Sequence, residues 1–254
     1  MPLTKTVNKR KPVVIAWDIE TTHNIVAAYS IGEYRIAPSD IIQERYMISA
    51  AWTELGTGRV RAVSVLDDPD GTDRTIVETL LNVFGSADAV VAHYGDKFDM
   101  RFFNSRVIYW GFDPAPPLIQ IDTYKIARSK FKFNSNKLDY LGQYLGLGRK
   151  TRTDGELWRR CLRGEKKAIR EMVAYNKQDI VLLEAVYERL APFGPNKVNY
   201  NLWSDIDCCP HCGSTKLHSR GKRHTTTRTY TRYQCQDCGK WSSGTKAIGV
   251  AERK

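Results

Sequence analysis

No run of apolar residues in this sequence approaches the roughly 18 that a membrane-spanning helix requires, which argues against a helical membrane protein. The opening MPLTKTVNKRKPVV is basic, but no apolar stretch follows it, so the pattern of a secretory signal is missing as well. These absences predict a soluble, intracellular, cytoplasmic protein with no membrane partner, led by a short flexible basic arm over residues 1–11. Cysteine is almost missing from the first 207 residues: Cys161 stands alone there, on an otherwise helical segment, and reads as a packing residue. Internal repeats and low-complexity tracts are missing too. Acidic residues are the scarcer charge, 28 Asp and Glu against 39 Lys and Arg, a formal net charge of +11. That excess points to a polyanionic partner, most often nucleic acid and less often an anionic membrane surface.

What is present is ordinary for a folded chain. A hydrophobic share of 42% with 26% charged residues excludes wholesale disorder, and 254 residues suffice for one sizeable core plus a small appendage. The charge is unevenly placed. Residues 208–254 hold 10 Lys and Arg against 2 acids, a net +8, leaving 29 against 26 for residues 1–207. Five of the six cysteines share that basic tail. The segment APFGPNKVNYN, 191–201, has the prolines and glycine of a linker. The expected organisation is a larger domain over 12–192, a linker over 193–204 and a small domain over 205–254.

The larger domain alternates strand-like and helix-like segments. Strands are expected at Val13–Ile19, Tyr46–Glu54, Arg59–Leu66, Ala89–His93 and Leu118–Ile121, and helices over Thr72–Phe84, Lys97–Trp110, Lys137–Leu145 and Lys166–Leu190. A meander first, then strands separated by helices, predicts an α/β fold with a mixed sheet flanked by helices.

Three acidic segments stand out against this pattern. In VVIAWDIETT, 13–22, an apolar strand runs into Asp18 and Glu20, which face the same side because strand side chains alternate. Two carboxylates held together repel, and a divalent metal is the simplest remedy; a solvated turn just past the strand, continued by Thr21, Thr22 and Asn24, is the alternative. In VVAHYGDKFDMRFF, 90–103, the strand breaks at Gly95 and a helix opens that carries Asp99, with Asp96 as its expected N-cap. In AYNKQDIVLLE, 174–184, Tyr175 and Asp179 stack on one helical face, four residues apart. Tyr109 and Asp113 share that spacing, but Gly111 and Pro114 should end any helix there. Asp122, at a strand end, reads as a helix N-cap in preference to a metal ligand.

DIE at 18–20, HYGDKFD ending at Asp99 and YNKQD at 175–179 together resemble, in order, the three exonuclease motifs of the DEDD superfamily in its tyrosine-bearing subgroup. The likeness is to the 3′–5′ exonuclease domain of family B DNA polymerases and to stand-alone phage exonucleases, and LIQIDTYKIARSKFKFNSNKLDYLGQYLGLG resembles the stretch that precedes the third motif. It covers about residues 12–192 and implies a ribonuclease H-like fold. Hydrolysing a phosphodiester at neutral pH calls for an activated water and a stabilised leaving oxygen, which two Mg²⁺ or Mn²⁺ ions roughly 3.5–4 Å apart supply. Hard cations take oxygen ligands. The resemblance implies that Asp18 bridges both metals, that Glu20 and Asp179 complete one ion's site, that Asp99 holds the second ion, and that Tyr175 orients the attacking water. It also implies host cytoplasm if the gene is a phage's. Tyr94 departs from the family, which usually carries asparagine there, and this puts strand positioning in question more than the chemistry.

The tail carries CCPHCGS, 208–214, and CQDCGKW, 235–241, two CxxC turns each followed by glycine. Reduced thiols at this spacing read as a tetrahedral structural Zn²⁺ site of Cys209, Cys212, Cys235 and Cys238, with Cys208 the competitor of Cys209. Between them, KLHSRGKRHTTTRTYTRYQC predicts two strands joined by a basic turn and resembles DNA-binding zinc ribbons. Its cations would track phosphate and Tyr230, Tyr233 or Trp241 would stack on bases, although Tyr233 and Trp241 read better as the ribbon's small core.

The leading expectation is a metal-dependent 3′–5′ exonuclease on DNA, a monomer acting on single-stranded 3′ ends and serving any polymerase in trans. The alternatives are the same chemistry on RNA and a non-catalytic nucleic-acid-binding adaptor of a replication complex. The complete set of four carboxylates argues against the adaptor.

Overall fold

The apolar run after Pro12 becomes β1 (Val14–Thr21), whose first four residues are buried. A strand covered on both faces has no polar side to alternate with, which is why it reads as continuous apolar sequence. The computed structural model describes residues 11–28, 32, 36–151, 153–195, 198–204 and 206–250. The basic arm expected over 1–11 lies, Lys11 apart, outside the described residues. After β1, the short β2 (Ile25–Val26) and β3 (Ile41–Gln43) pair with each other. Then follow β4 (Met47–Glu54), β5 (Arg61–Ser64), α1 (Arg74–Ser86), β6 (Ala89–Ala92), α2 (Asp99–Tyr109), β7 (Ile119–Asp122), α3 (Thr123–Lys130), α4 (Leu138–Tyr144), α5 (Gly155–Leu162) and α6 (Lys166–Leu190).

Five strands form one sheet in the order β5-β4-β1-β6-β7. The β1–β4 and β4–β5 pairs are antiparallel and the β1–β6 and β6–β7 pairs parallel, the mixed α/β sheet expected. Register places Ala16, Asp18 and Glu20 of β1 opposite Thr53, Ala51 and Ser49 of β4. These small partners lie beneath α6, which packs on β1 and β4 and buries Ile169, Met172, Ile180, Leu183 and Val186. On the other face Trp17, Phe84 and Phe103 meet edge to face, with centroids 4.9, 5.2 and 6.1 Å apart. Each such pair adds about 0.5–1.5 kcal/mol to area burial. Cys161 is buried in the same core.

Two expectations need correction. The strand expected to end at Ile19 runs two residues further, to Thr21, and bulges only after Glu20, so Asp18 and Glu20 are both strand residues and the alternative of a solvated turn does not hold. The helix after Gly95 begins at Asp99 with Phe98 as its N-cap, and Asp96 caps nothing; its carboxylate pairs with Lys125. Asp122 does cap α3, accepting the N–H groups of Tyr124 and Lys125.

Val13–Ala191 and Pro192–Lys254 fall into separate units. In the second, β8 (Leu217–His224), β9 (Arg228–Cys235) and β10 (Trp241–Val250) form an antiparallel sheet with β9 in the centre. β10 is a third strand where two were expected. Its SSGTKAIG core has no apolar alternation, and it pairs through two register shifts. The expected linker contributes a short 3-10 turn, Tyr200–Trp203, tied to this unit: the Tyr200 N–H donates to the Pro210 carbonyl at 3.1 Å and the Cys208 N–H to Asn201 Oδ1 at 2.7 Å. No helix among the described residues is long and apolar enough to cross a membrane.

Candidate active site

Asp18 and Glu20 come from the last turns of the pleat of β1, Tyr175 and Asp179 from the middle of α6, and Asp99 from the first position of α2. Their elements are adjacent, so residues up to 161 positions apart share one site. Carboxylate oxygens of Asp18, Glu20 and Asp179 all lie within 4.8 Å of one another. Asp99 stands beside this trio, its Oδ1 accepting the Ile19 N–H at 3.3 Å. The turn that leads into α2 needs glycine at 95, where a Cβ would collide with that of Ala92.

Crowding sets the electrostatics. Burial first, then Asp99 and Glu20, push the Asp18 carboxyl well above the usual range. Burial likewise pushes Glu20 to about 7, although Lys150 and a hydrogen bond from the Trp158 side chain pull it down. Asp99 is pushed up to about 7 by burial, against the Ile19 N–H. Asp179 is raised by burial against the pull of Lys150. Burial and mutual repulsion raise these carboxyls, and a bound cation would reverse each shift.

Lys150 and Asn176 supply what compensation exists, and neither was legible as a site residue. Lys150 Nζ lies 2.6 Å from the Asp179 carboxylate and 3.4 Å from the Tyr175 hydroxyl. Its loop is anchored by the Lys150 N–H, which donates to Asp139 Oδ1 of α4 at 2.8 Å. Burial lowers the Lys150 pKa, but Asp179 and Asp18 outweigh it and the net shift is upward. Asn176, fully buried next to Tyr175, donates from Nδ2 to Asp18 at 2.8 Å while its Oδ1 accepts from Ser49 Oγ at 3.1 Å. That chain of hydrogen bonds fixes the Asp18 carboxylate from α6 through β4. Tyr175 packs edge to face on Trp158 at 5.9 Å, and burial pushes its phenol to about 12, so it is a proton donor at neutral pH.

Tyr94 has φ +69°, the one positive φ outside glycine among the described residues. Asparagine enters that left-handed region more readily than tyrosine, so a tyrosine at this position carries backbone strain. The Tyr94 N–H is held by Asp122 Oδ1 at 2.9 Å, and its ring meets Tyr124 edge to face at 5.0 Å.

In the second unit the thiols of Cys209, Cys212, Cys235 and Cys238 lie within 4.8 Å of one another, with Cys209–Cys238 and Cys212–Cys235 at 3.7 Å. A tetrahedron with Zn–S bonds of about 2.3 Å has edges of about 3.8 Å, so the thiols are spaced to hold one Zn²⁺. Each knuckle is closed the same way. Gly213 and Gly239, at φ +77° and +70°, donate their N–H groups to the carbonyls of Cys209 and Cys235 at 2.8 and 3.0 Å. Cys208 is buried outside the cluster.

A family profile described as RNase_H superfamily matches residues 36–191, more than half of the chain, and the chain belongs to that superfamily, whose nucleases use divalent metals. The fold is accordingly RNase H-like. Among solved structures the chain is similar to the family B DNA polymerase from the hyperthermophilic archaeon Pyrobaculum calidifontis. The TM-score is 0.54 at 14% identity over 85% of this chain and 32% of that one. The chain thus spans about a third of that polymerase's length, and the likeness is one of fold. No curated protein matches the chain.

Proposed function

We propose that the chain is a metal-dependent 3′–5′ exonuclease of the tyrosine-bearing DEDD group, hydrolysing phosphodiester bonds at single-stranded DNA 3′ ends. On this reading residues 12–192 are the nuclease domain and residues 205–254 a zinc ribbon that binds nucleic acid. The observation that carries it is the convergence of Asp18, Glu20 and Asp179 within 4.8 Å, with Asp99 adjacent and Lys150 the cation held against Asp179. Oxygen donors suit Mg²⁺ or Mn²⁺, and the burial and mutual repulsion that push these carboxyls up are what a bound cation would offset.

Asp18, Glu20 and Asp179 would hold one ion, and Asp18 with Asp99 the second. Bound there, the metals supply Lewis acidity for the attacking water and the leaving oxygen. The remaining work belongs to the chain's own groups. Asn176 keeps Asp18 in one rotamer, so its carboxylate needs no reorganisation to take a ligand. Tyr175, protonated at neutral pH, donates its hydroxyl proton to position the water and is not the base. Trp158 holds both Glu20 and the Tyr175 ring in place.

The test is to incubate the protein with 3′- and 5′-labelled single-stranded DNA and RNA, with and without Mg²⁺. Metal-dependent shortening from the 3′ end, faster on DNA and lost in Asp18→Asn, is the expected result. Absence of cleavage by the wild type, or equal cleavage by Asp18→Asn, would overturn the assignment, and faster cleavage of RNA would move the substrate.

A further inference from the structure

The β8–β9–β10 sheet has two chemically different faces, and only one is built for a polyanion. Register puts Tyr230 opposite Arg223 and Ala247, Arg232 opposite Ser243, and Gln234 opposite His218 and Trp241. Since alternate residues of β9 share a face, Arg228, Tyr230, Arg232 and Gln234 line one side together. Side-chain contacts agree with that placement: the Arg232 guanidinium lies 4.8 Å over the Trp241 ring, and Arg223 donates to Ser243 Oγ at 3.3 Å. The opposite side carries Lys222 opposite Thr231 and Tyr233 between Ser219 and Ser242. Asp207, Cys208, Tyr233, Lys246 and Ile248 line a cavity of about 370 Å³ there.

The first face presents three arginines alternating with aromatic rings and no acid. Of the described ribbon acids, Asp207 lines the cavity of the other face, and Asp237 accepts from Ser214 Oγ at 2.7 Å and pairs with Lys216 at 3.3 Å. Trp241 is 48% exposed and so is no core residue, contrary to its expected role. One side of its ring is occupied by Arg232. The contact fixes both groups in an open position, so their ordering cost is met before any ligand arrives.

We propose that this face, formed by Arg223, Arg228, Tyr230, Arg232 and Trp241, is a binding track for one unpaired nucleic-acid strand. The arginines lie along the phosphates and the rings stack on splayed bases. Cation and ring alternate along β9 in steps of about 6.6 Å, two residues of strand rise, so like groups recur at about 13 Å. Base stacking requires unpaired bases, which selects a single strand over a duplex. The proposal rests on the nucleic-acid reading above and adds the face of the sheet and the arginines that, with Tyr230 and Trp241, make it a track.

The test uses the full-length, zinc-loaded chain without added Mg²⁺ or Mn²⁺ and a fluorescein-labelled oligothymidylate, read by anisotropy. Arg223→Gln with Arg232→Gln should weaken binding about ten-fold or more and flatten the log Kd against log salt slope by about 1.4, two phosphate contacts on a single strand. Trp241→Ala should lose about five-fold or more while keeping the slope. Lys222→Gln with Lys246→Gln removes the same charge from the other face and should stay within two-fold of wild type. The double Arg→Lys variant keeps the charge and should keep the slope. Zinc content, one per chain, is measured for each variant. Equal losses from the two faces, or wild-type binding by the zinc-loaded double Arg→Gln variant, would overturn the track. A wild type that does not bind would overturn the nucleic-acid reading with it. Failure of the nuclease reading is recorded separately, as absence of metal-dependent cleavage.

Discussion

Replacing Lys150 with methionine keeps most of the side-chain volume and removes the cation that faces four carboxyls. Lys150 Nζ is 2.6 Å from Asp179, whose side chain is 1% exposed, while the lysine itself is 31% exposed. Breaking a buried pair costs about 3–5 kcal/mol. Two features of the site reduce this. Part of the lysine is solvated, and Glu20 and Asp99, each at about 7, take up protons to relieve the excess negative charge. A loss of about 2 kcal/mol near neutral pH follows, or about 4–8 °C in the melting temperature of a unit of this size. The sign of the pH dependence is fixed by the direction of the shifts. Carboxyls raised in the folded state bind protons that the unfolded chain has already released, so their stability contribution is complete below about 4 and is lost as pH rises through about 7. Lys150→Met should therefore be more destabilising at pH 8 than at pH 6. Saturating Mg²⁺ should shrink the difference from wild type, because the ions restore the missing positive charge. Calorimetry of both proteins, with and without Mg²⁺, measures all of this. An equal loss in both conditions, or no loss without metal, would refute the reasoning.

Three further predictions rest on other parts of the chain. Tyr94→Asn should raise stability by about 0.5–1 kcal/mol, because relief of left-handed strain outweighs a half-exposed ring contact with Tyr124; a lower melting temperature would contradict it. Asp68 accepts from the Thr72 and Thr75 hydroxyls at 3.0 and 2.8 Å and from the Asp70, Thr72 and Thr75 N–H groups. Burial pushes its carboxyl up, yet these bonds win and hold it at about 2. That depressed value contributes stability above about pH 4 that is lost as pH falls through about 2, so Asp68→Asn should cost about 1–2 kcal/mol at neutral pH and flatten the acid limb of a chemical-denaturation series. Elemental analysis should find one zinc per chain in wild type and Cys208→Ala and none in Cys212→Ala; zinc retained by Cys212→Ala would place the metal elsewhere.

The parts legible in the sequence are those with long periodic signals. The apolar spacing of α6 persists over its full length, and its bounds agree with expectation at both ends. β1 was visible because its burial on both faces removes polar residues from the run. Asp18, Glu20, Asp99, Tyr175 and Asp179 are legible through the order of their motifs; of these, Asp18, Glu20 and Asp179 converge within 4.8 Å, with Asp99 on the Ile19 N–H and Tyr175 beside Lys150. Lys150 and Asn176 were not named because their roles are made by long-range approach: Asn176 meets Asp18 across 158 residues, and Lys150 leaves a loop with no periodicity. α5 spans only eight residues behind its Asp154 cap, too short for a decisive helical pattern. Trp241 was misread as core because an aromatic residue beside a zinc knuckle carries no mark of which sheet face it takes; register decides that, and register depends on the bulges of β10.

Anomalous diffraction from crystals soaked in Mn²⁺ tests directly whether the carboxylates are a metal site. The prediction is two peaks about 3.5–4 Å apart, one at Asp18, Glu20 and Asp179 and one at Asp18 and Asp99, with Lys150 displaced from Asp179. Crystals that show no anomalous density among these residues, with Lys150 still paired to Asp179 at saturating Mn²⁺, would contradict it.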